Sequence, residues 1–178
     1  HAMRLFVAIN FNPDTRLRLL ALRDELRGKS ESGNFSAPEN LHVTLAFLGA
    51  CDGRQTAAAR AVLAAVRFAP FDIAVVRVGR FSGGRDGGAV WWAGLCESGP
   101  LTALQSDLAR ALTAAGFALE RRRFSPHITL GREVVTDASP WTVEPFGETV
   151  GAIELMKSER IRGKLTYTPI ARSGRDER

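Results

Sequence analysis

The sequence predicts an α+β domain made of two similar lobes, related by a pseudo-twofold axis, with a groove between them. The order strand, helix, loop, strand occurs twice, over residues 4–48 and about 89–131. Each copy ends in a His-x-Thr-Leu strand, with His42 in the first and His127 in the second. With 178 residues, 45 % of them hydrophobic, the chain is long enough for one such domain with a sizeable core.

In the first lobe, turn formers and helix-starting residues separate the apolar segments. The expected elements are a strand over 4–10, a helix over 13–27, a polar loop over 28–33, the first motif strand over about 41–48 and an alanine-rich helix over 54–66. Pro13 supplies the helix start and Gly49 closes the motif strand. We expect the domain to cover residues 3–172, with 1–2 as a remnant ahead of a natural start at Met3 and 173–178 as a polar tail.

The second lobe repeats this plan and adds closing strands. The expected elements are a strand over 71–81, a hairpin-type loop over 83–88, its partner strand over 89–95, a helix over 100–116, the second motif strand over about 126–131, a loop over 134–146 and two strands over 150–158 and 164–171. Leu101, Leu104 and Leu108 have helical spacing. Trp91 and Trp92 fit packing within the sheet, because aromatic residues favour strands.

The repeated motif places one imidazole and one hydroxyl on the same side of each strand. Side chains two positions apart share a face, so His42 lies beside Thr44 and His127 beside Thr129. The β-branched residue between them points into the core. A half-buried strand can hold such residues for packing alone. However, both histidines other than His1 occupy this motif, although they lie 85 positions apart, and this favours a shared function.

Two imidazoles that face each other across a groove suit general acid–base catalysis. The pKa of an unperturbed histidine is about 6.5, so near neutral pH one ring can accept a proton while the other donates one. In-line displacement at phosphorus places the attacking and leaving oxygens on opposite sides, which fits this arrangement. The two threonine hydroxyls can donate hydrogen bonds to non-bridging phosphoryl oxygens. A strained five-membered cyclic ester needs no metal for this reaction.

The overall charge fits an anionic partner such as nucleic acid. The formal charge is +5 and the pI is about 10.0, although a soluble basic protein without such a partner has the same values. Basic side chains that either extend a path for an RNA backbone or are simply solvated are Arg121, Arg122, Arg123, Lys157, Arg160, Arg162 and Lys164. Phe47 and Phe124 flank the motifs and either stack a base or belong to the core.

The remaining composition limits the class of protein. Cys51 and Cys96 show no disulfide framework, which indicates a reduced, cytoplasmic chain. Two cysteines and two motif histidines without ligand-like spacing give a metal site little support, and we expect no cofactor. We find no stretch long enough for a membrane span. We expect a monomer.

Arg132 follows the second motif at an odd offset from His127. In an uninterrupted strand its side chain would face away from the histidine. A bulge or bend at Gly131 could turn it into the groove, where a guanidinium suits phosphate. The other interpretation is a surface arginine.

The chain resembles the two-histidine (2H) phosphoesterases, and within them the RNA 2′,3′-cyclic phosphodiesterase branch, also called 2′-5′ RNA ligase. The similar segments are RLFVAI near the start, NLHVTLAFLG at His42, PHITLGR at His127 and GKLTYTP near the end. The resemblance implies two antiparallel sheets that line a groove, with helices outside, and metal-independent hydrolysis of a 2′,3′-cyclic phosphate to a 2′-phosphate. It further implies that His42 is the acid and His127 the base, and that Thr44, Thr129 and Arg132 hold the phosphate.

Two other hypotheses remain open on the sequence. The same fold could act on a cyclic ADP-ribose phosphate or a 2′-5′ oligonucleotide. Alternatively, the chain could be an RNA- or nucleotide-binding module without turnover. The presence of both histidines argues against this last class, because binding alone could use lysine or arginine.

Overall fold

The protein consists of a large antiparallel sheet with three helices packed on one face. The structure, a computed structural model, describes residues 2–81 and 88–174. The strands are β1 (Met3–Ile9), β2 (Ser30–Phe35), β3 (Val43–Cys51), β4 (Phe71–Phe81), β5 (Ala89–Leu95), β6 (His127–Thr136), β7 (Trp141–Val150), β8 (Ala152–Ile161) and β9 (Lys164–Gly174), and the helices are α1 (Pro13–Gly28), α2 (Gly53–Ala65) and α3 (Gly99–Ala114). The predicted α+β class is therefore confirmed.

The strand order shows the duplication that the sequence predicts. The order is β7-β4-β5-β6-β3-β1-β8-β9, and β2 pairs with β6. Each half contains a strand followed by a helix and then the motif strand, so β1, α1 and β3 correspond to β5, α3 and β6. The halves join where β3 pairs with β6 at Val43 and Ile128. The sheets of the two halves therefore form one continuous sheet with the motif strands at its centre.

Burial of apolar side chains explains which face the helices cover. Each helix contributes an apolar stripe that packs with the inner face of the sheet in one core, led by Leu19 of α1, Leu63 of α2 and Leu108 of α3. The opposite face of the sheet is left for the motif histidines.

Side-chain caps define the helix starts, as where Asn12 Oδ1 accepts a hydrogen bond from the backbone N–H of Thr15 at 2.9 Å. No helix in the described parts of the chain is long and apolar enough to cross a membrane.

Two segments expected to be loops are strands. Residues 30–33 of the loop predicted over 28–33 belong instead to β2, which pairs with the far half of β6 from Phe35 opposite Gly131 to Ser30 opposite Thr136. Of the loop predicted over 134–146, residues 134–136 end β6 and 141–146 begin β7, with 137–140 between the two strands. β7 lies at the sheet edge, and Pro145 falls in a stretch where its register with β4 is irregular. A proline is tolerated there because its missing N–H removes no ladder hydrogen bond.

The expected chain end also differs. β9 continues to Gly174, two residues beyond the predicted boundary at 172, and Ser173 is buried, with its hydroxyl donating to the Val66 carbonyl at 3.0 Å. The hairpin-type loop predicted over 83–88 falls almost entirely on residues 82–87, which lie outside the described residues. The strands that flank it, β4 and β5, are antiparallel neighbours as predicted.

Candidate active site

The motif strands bring the two histidines together at the junction of the halves. Because β3 and β6 are antiparallel and pair at Val43 and Ile128, each histidine lies across from the threonine of the other motif. Val43 and Ile128 are fully buried on the helix side. The alternation of a strand then directs the two imidazoles and two hydroxyls to the opposite face of the sheet, which we call the groove face.

A main-chain hydrogen bond holds the His42 ring in one tautomer. Its Nδ1 lies 2.7 Å from the carbonyl oxygen of Asn40. A carbonyl can only accept, so Nδ1 carries the proton, and in the neutral ring Nε2 has a free lone pair. Nε2 lies 2.9 Å from Thr44 Oγ1, which donates to it in that state. The nitrogen of His42 that is free to exchange a proton is therefore Nε2.

His127 is held in the same way. Its Nδ1 donates to the Ser125 carbonyl at 2.7 Å, again two residues before the histidine. The position of the Asn40 carbonyl is further stabilised, because the side-chain amide of Asn40 donates to the Leu165 carbonyl of β9 at 3.2 Å. Both motifs thus present Nε2 of a ring whose other nitrogen is occupied, which is the arrangement that orients catalytic and metal-binding histidines.

Aromatic rings pack around both imidazoles. Phe6 lies 4.9 Å from the His42 ring centroid, and Tyr167 contacts the same ring edge-on at 5.3 Å. Phe81 meets His127 edge-on at 5.0 Å. Sequence reasoning did not identify Tyr167 as a site residue, although it is the single tyrosine of the chain and lies in the GKLTYTP segment. Its proximity to His42 depends on the packing of β9, which no local pattern encodes.

Burial favours the neutral form of both imidazoles. The pKa of His42 is lowered from its usual 6.5 mainly by desolvation, the hydrogen bond to Asn40 opposes this, and the charges of His127 and Arg132 lower it further. The pKa of His127 is lowered by burial against the opposing Ser125 hydrogen bond, with an additional effect of Arg132. Burial raises the pKa of Tyr167, and the charge of the same guanidinium opposes this shift. Arg132 therefore lies within electrostatic range of all three rings.

A β-bulge accounts for the position of Arg132. Thr129 pairs with Trp92 and Gly131 with Trp91, so β6 has one extra residue, Leu130, between these pairs. Leu130 and Gly131 are both buried, and the exposed Arg132 then falls on the face that carries His127. The change of face is the one that a bulge produces. Gly131 is closely packed, because a Cβ there would lie 3.0 Å from the Phe35 ring and 2.9 Å from Val134 Cγ2, so a larger residue would have to displace these side chains.

Comparison with known proteins agrees with this geometry. A profile of the 2′-5′ RNA ligase superfamily matches residues 8–161. The chain belongs to this superfamily. The RNA 2′,3′-cyclic phosphodiesterase of Archaeoglobus fulgidus is 35 % identical over 152 residues, which cover 82 % of this chain and 85 % of the relative. The enzyme of that name from Escherichia coli is 29 % identical over 174 residues, 95 % of this chain and 94 % of the relative.

A solved superfamily structure has the same fold across almost the whole chain. Escherichia coli LigT, crystallised with 3′-AMP, superimposes with a TM-score of 0.83 at 27 % identity and covers 98 % of both chains. The resemblance that the motifs indicate is thereby confirmed at the level of family and fold.

Most of the other basic residues that could extend a path for RNA form ion pairs or hydrogen bonds with neighbouring groups. Three of them form ion pairs: Lys157 with Glu159 at 3.3 Å, Lys164 with Glu39 at 3.1 Å and Arg122 with Glu120 at 3.6 Å. Arg160 donates to the Gly163 carbonyl at 3.1 Å. Of the two candidate stacking residues, Phe47 is 65 % exposed, whereas Phe124 packs against the core. Phe47 therefore remains a candidate for base stacking.

No other part of the described chain offers comparable chemistry. A cavity of about 590 Å³ between α2 and α3 is lined mainly by alanine, valine and leucine, with Arg67 and Asp107 as its charged residues. Within residues 2–81 and 88–174, no group of three or more His, Cys, Asp or Glu side chains is arranged to hold a metal ion. The paired motif residues are thus the best candidates for catalysis.

Proposed function

We propose that this superfamily member hydrolyses the 2′,3′-cyclic phosphate of RNA ends or nucleosides to a 2′-phosphate by metal-independent acid–base catalysis. The observation that carries the proposal is the antiparallel pairing of the two motifs, which puts both histidines, each with Nδ1 bound to a carbonyl, on one face of the sheet. The relatives named RNA 2′,3′-cyclic phosphodiesterase support the same substrate class.

In the proposed reaction, His127 acts as the base and His42 as the acid. Nε2 of His127 takes a proton from water as the water oxygen attacks phosphorus. The P–O3′ bond breaks, and O3′ receives the proton from Nε2 of protonated His42, which leaves a 2′-phosphate. The hydroxyls of Thr44 and Thr129, with Arg132, stabilise the charge on the non-bridging oxygens. A 5′-hydroxyl that replaces water in the attack would produce a 2′-5′ linkage.

Binding of the phosphate favours the protonated form of His42 that the acid role needs. Burial and neighbouring charges lower the pKa of both rings in the free protein. An anionic phosphate between the rings favours an imidazolium, because an opposite charge within a few ångströms stabilises the protonated form. Binding of the cyclic phosphate and protonation of His42 are therefore coupled.

The direct test is hydrolysis of 2′,3′-cyclic AMP in EDTA with identification of the product isomer. We expect full activity in the chelator and 2′-AMP as the product. A parallel panel contains 2′-5′-linked oligoadenylate and a cyclic ADP-ribose phosphate. Activity that is lost in EDTA and restored by a divalent metal would contradict the metal-independent reaction, and turnover of a panel substrate alone would contradict the proposed substrate class.

The pH optimum of kcat/KM should differ from that of kcat. Because kcat/KM reports ionisations of the free enzyme, and both histidine pKa values lie below 6.5, the form with one protonated ring is most populated below pH 6.5. We expect kcat/KM to fall as the pH rises through neutrality. The optimum of kcat should lie at higher pH, since bound phosphate raises the pKa of the acid. A kcat/KM optimum above pH 7 would contradict these pKa directions.

A further inference from the structure

We propose that Arg77, with the neighbouring rings of Trp92 and Phe81, binds the phosphodiester on the 5′ side of the nucleoside that carries the cyclic phosphate. We call these three residues the Arg77 subsite. The inference rests on the proposed function and extends it, because it makes RNA ends, rather than free cyclic nucleotides, the preferred substrate.

A second β-bulge turns Arg77 into the groove. Val75 is buried in the core, and a residue two positions later in a regular strand would share its face. The pairing of β4 with β5 shifts between these residues, from Val75 opposite Leu95 to Arg77 opposite Gly94. Arg77 is exposed on the groove face as a result. Bulges occur preferentially next to active sites, where they redirect a side chain.

The sheet register aligns Arg77 with His127. Gly94 pairs with Arg77 on one side and with His127 on the other, so the three residues form one row across β4, β5 and β6. The Cα atoms of Arg77 and His127 are thus about 10 Å apart, two interstrand spacings. A Cβ on Gly94 would lie 2.9 Å from Arg77 Nε. The Arg77 side chain therefore crosses the glycine that separates it from the histidine.

The two rings complete a surface suited to a nucleotide. Trp92 lies flat over β4, since a Cβ on Gly79 would lie 2.5 Å from its ring. The Arg77 guanidinium carbon is 5.8 Å from the centroid of that ring. Phe81, 42 % exposed, is 5.5 Å from Trp92 and 5.0 Å from His127, measured between ring centroids. Single-stranded nucleic acids bind to such surfaces, because the bases stack on aromatic rings and the phosphates contact the cation.

The position of Arg77 separates its role from that of Arg132. The charge of Arg132 contributes to the lowered pKa of His127, whereas that of Arg77 is not among its causes. In the described chain, the hydrogen bond that Arg77 makes is a long one, to the Leu95 carbonyl at 3.4 Å. Its guanidinium is therefore available to a phosphate one position along the chain from the one between the histidines.

The test compares Arg77→Gln with wild type on two substrates, adenosine 2′,3′-cyclic phosphate and the dinucleotide ApA with a 2′,3′-cyclic phosphate end. We expect kcat/KM on the dinucleotide to fall about 10- to 100-fold relative to that on the mononucleoside, as for loss of a charge-assisted hydrogen bond. The slope of log kcat/KM against log salt on the dinucleotide should decrease by about 0.7. Equal losses on both substrates, or none on either, would overturn the proposal.

The matched control is Arg80→Gln, on the same strand. Arg80 pairs with the core residue Trp91 and so lies on the opposite face of β4. It should keep the wild-type ratio between the two substrates. Equilibrium binding of fluorescently labelled ApA provides a readout without turnover, and only Arg77→Gln should weaken it. A wild-type protein that binds ApA through Arg77 but cleaves neither substrate would count against the proposed function and support the subsite.

Discussion

Replacing either motif histidine with alanine should lower kcat for hydrolysis of 2′,3′-cyclic AMP by about 10²–10⁴-fold, the usual contribution of a positioned acid or base. The double variant should lose little more than the worse single one, because groups that act as a unit are not additive. His127→Ala should also raise the pKa of His42, since the charge of His127 lowers it in the intact site. NMR titration of the His42 imidazole measures this change.

Two controls separate loss of chemistry from loss of fold. Circular dichroism and thermal unfolding should show that both alanine variants remain folded, because each ring is only partly buried at the groove. Added imidazole should partly restore His127→Ala if the missing function is proton transfer. Activity within tenfold of wild type in both variants would exclude a two-histidine mechanism.

Gly147→Ala should lower the free energy of unfolding by about 3 kcal/mol, at the upper end for overpacking. Gly147 on β7 pairs with Ala74 on β4, and a Cβ there would overlap the main-chain carbonyl of Ile73. A backbone atom cannot move aside as a side chain can, so β7 must separate locally from β4. Urea unfolding monitored by tryptophan fluorescence measures the difference.

Gly53→Ala is the matched control for this substitution. Gly53 begins α2, and a Cβ there would meet nothing within 4 Å. Alanine should leave stability unchanged or raise it by up to about 1 kcal/mol, because it restricts the unfolded chain more than glycine does. Equal stability of wild type and Gly147→Ala would show that β7 accommodates a side chain at this position.

The sequence was sufficient for features that local periodicity determines. The leucine spacing of α3, the helix start at Pro13 and the alternation of the motif strands all predict the observed elements. The repeat of one strand–helix–strand plan also predicts that the motif strands lie side by side, and they pair with each other at Val43 and Ile128. For the single helices and strands the pattern lies within about ten to twenty residues, so the burial of side chains decides the outcome.

Other features depend on partners that are distant in the chain. β2 has almost no apolar residues, and its pairing with β6 supplies the hydrogen bonds that make it a strand. Pro145 alone indicates a loop, and it fits a strand only because β7 lies at the edge of the sheet. The directions of Arg77 and Arg132 both depend on bulges, and one inserted residue reverses the face that alternation predicts.

The peptide carbonyls of Asn40 and Ser125 make the orientation of both imidazoles resistant to mutation. In a serine-protease triad, an aspartate side chain orients the histidine, and a single codon change removes it. Here every amino acid, proline included, supplies the same acceptor at positions 40 and 125. Replacing these side chains cannot delete the oxygen, and only a shift of the local chain path would release the rings.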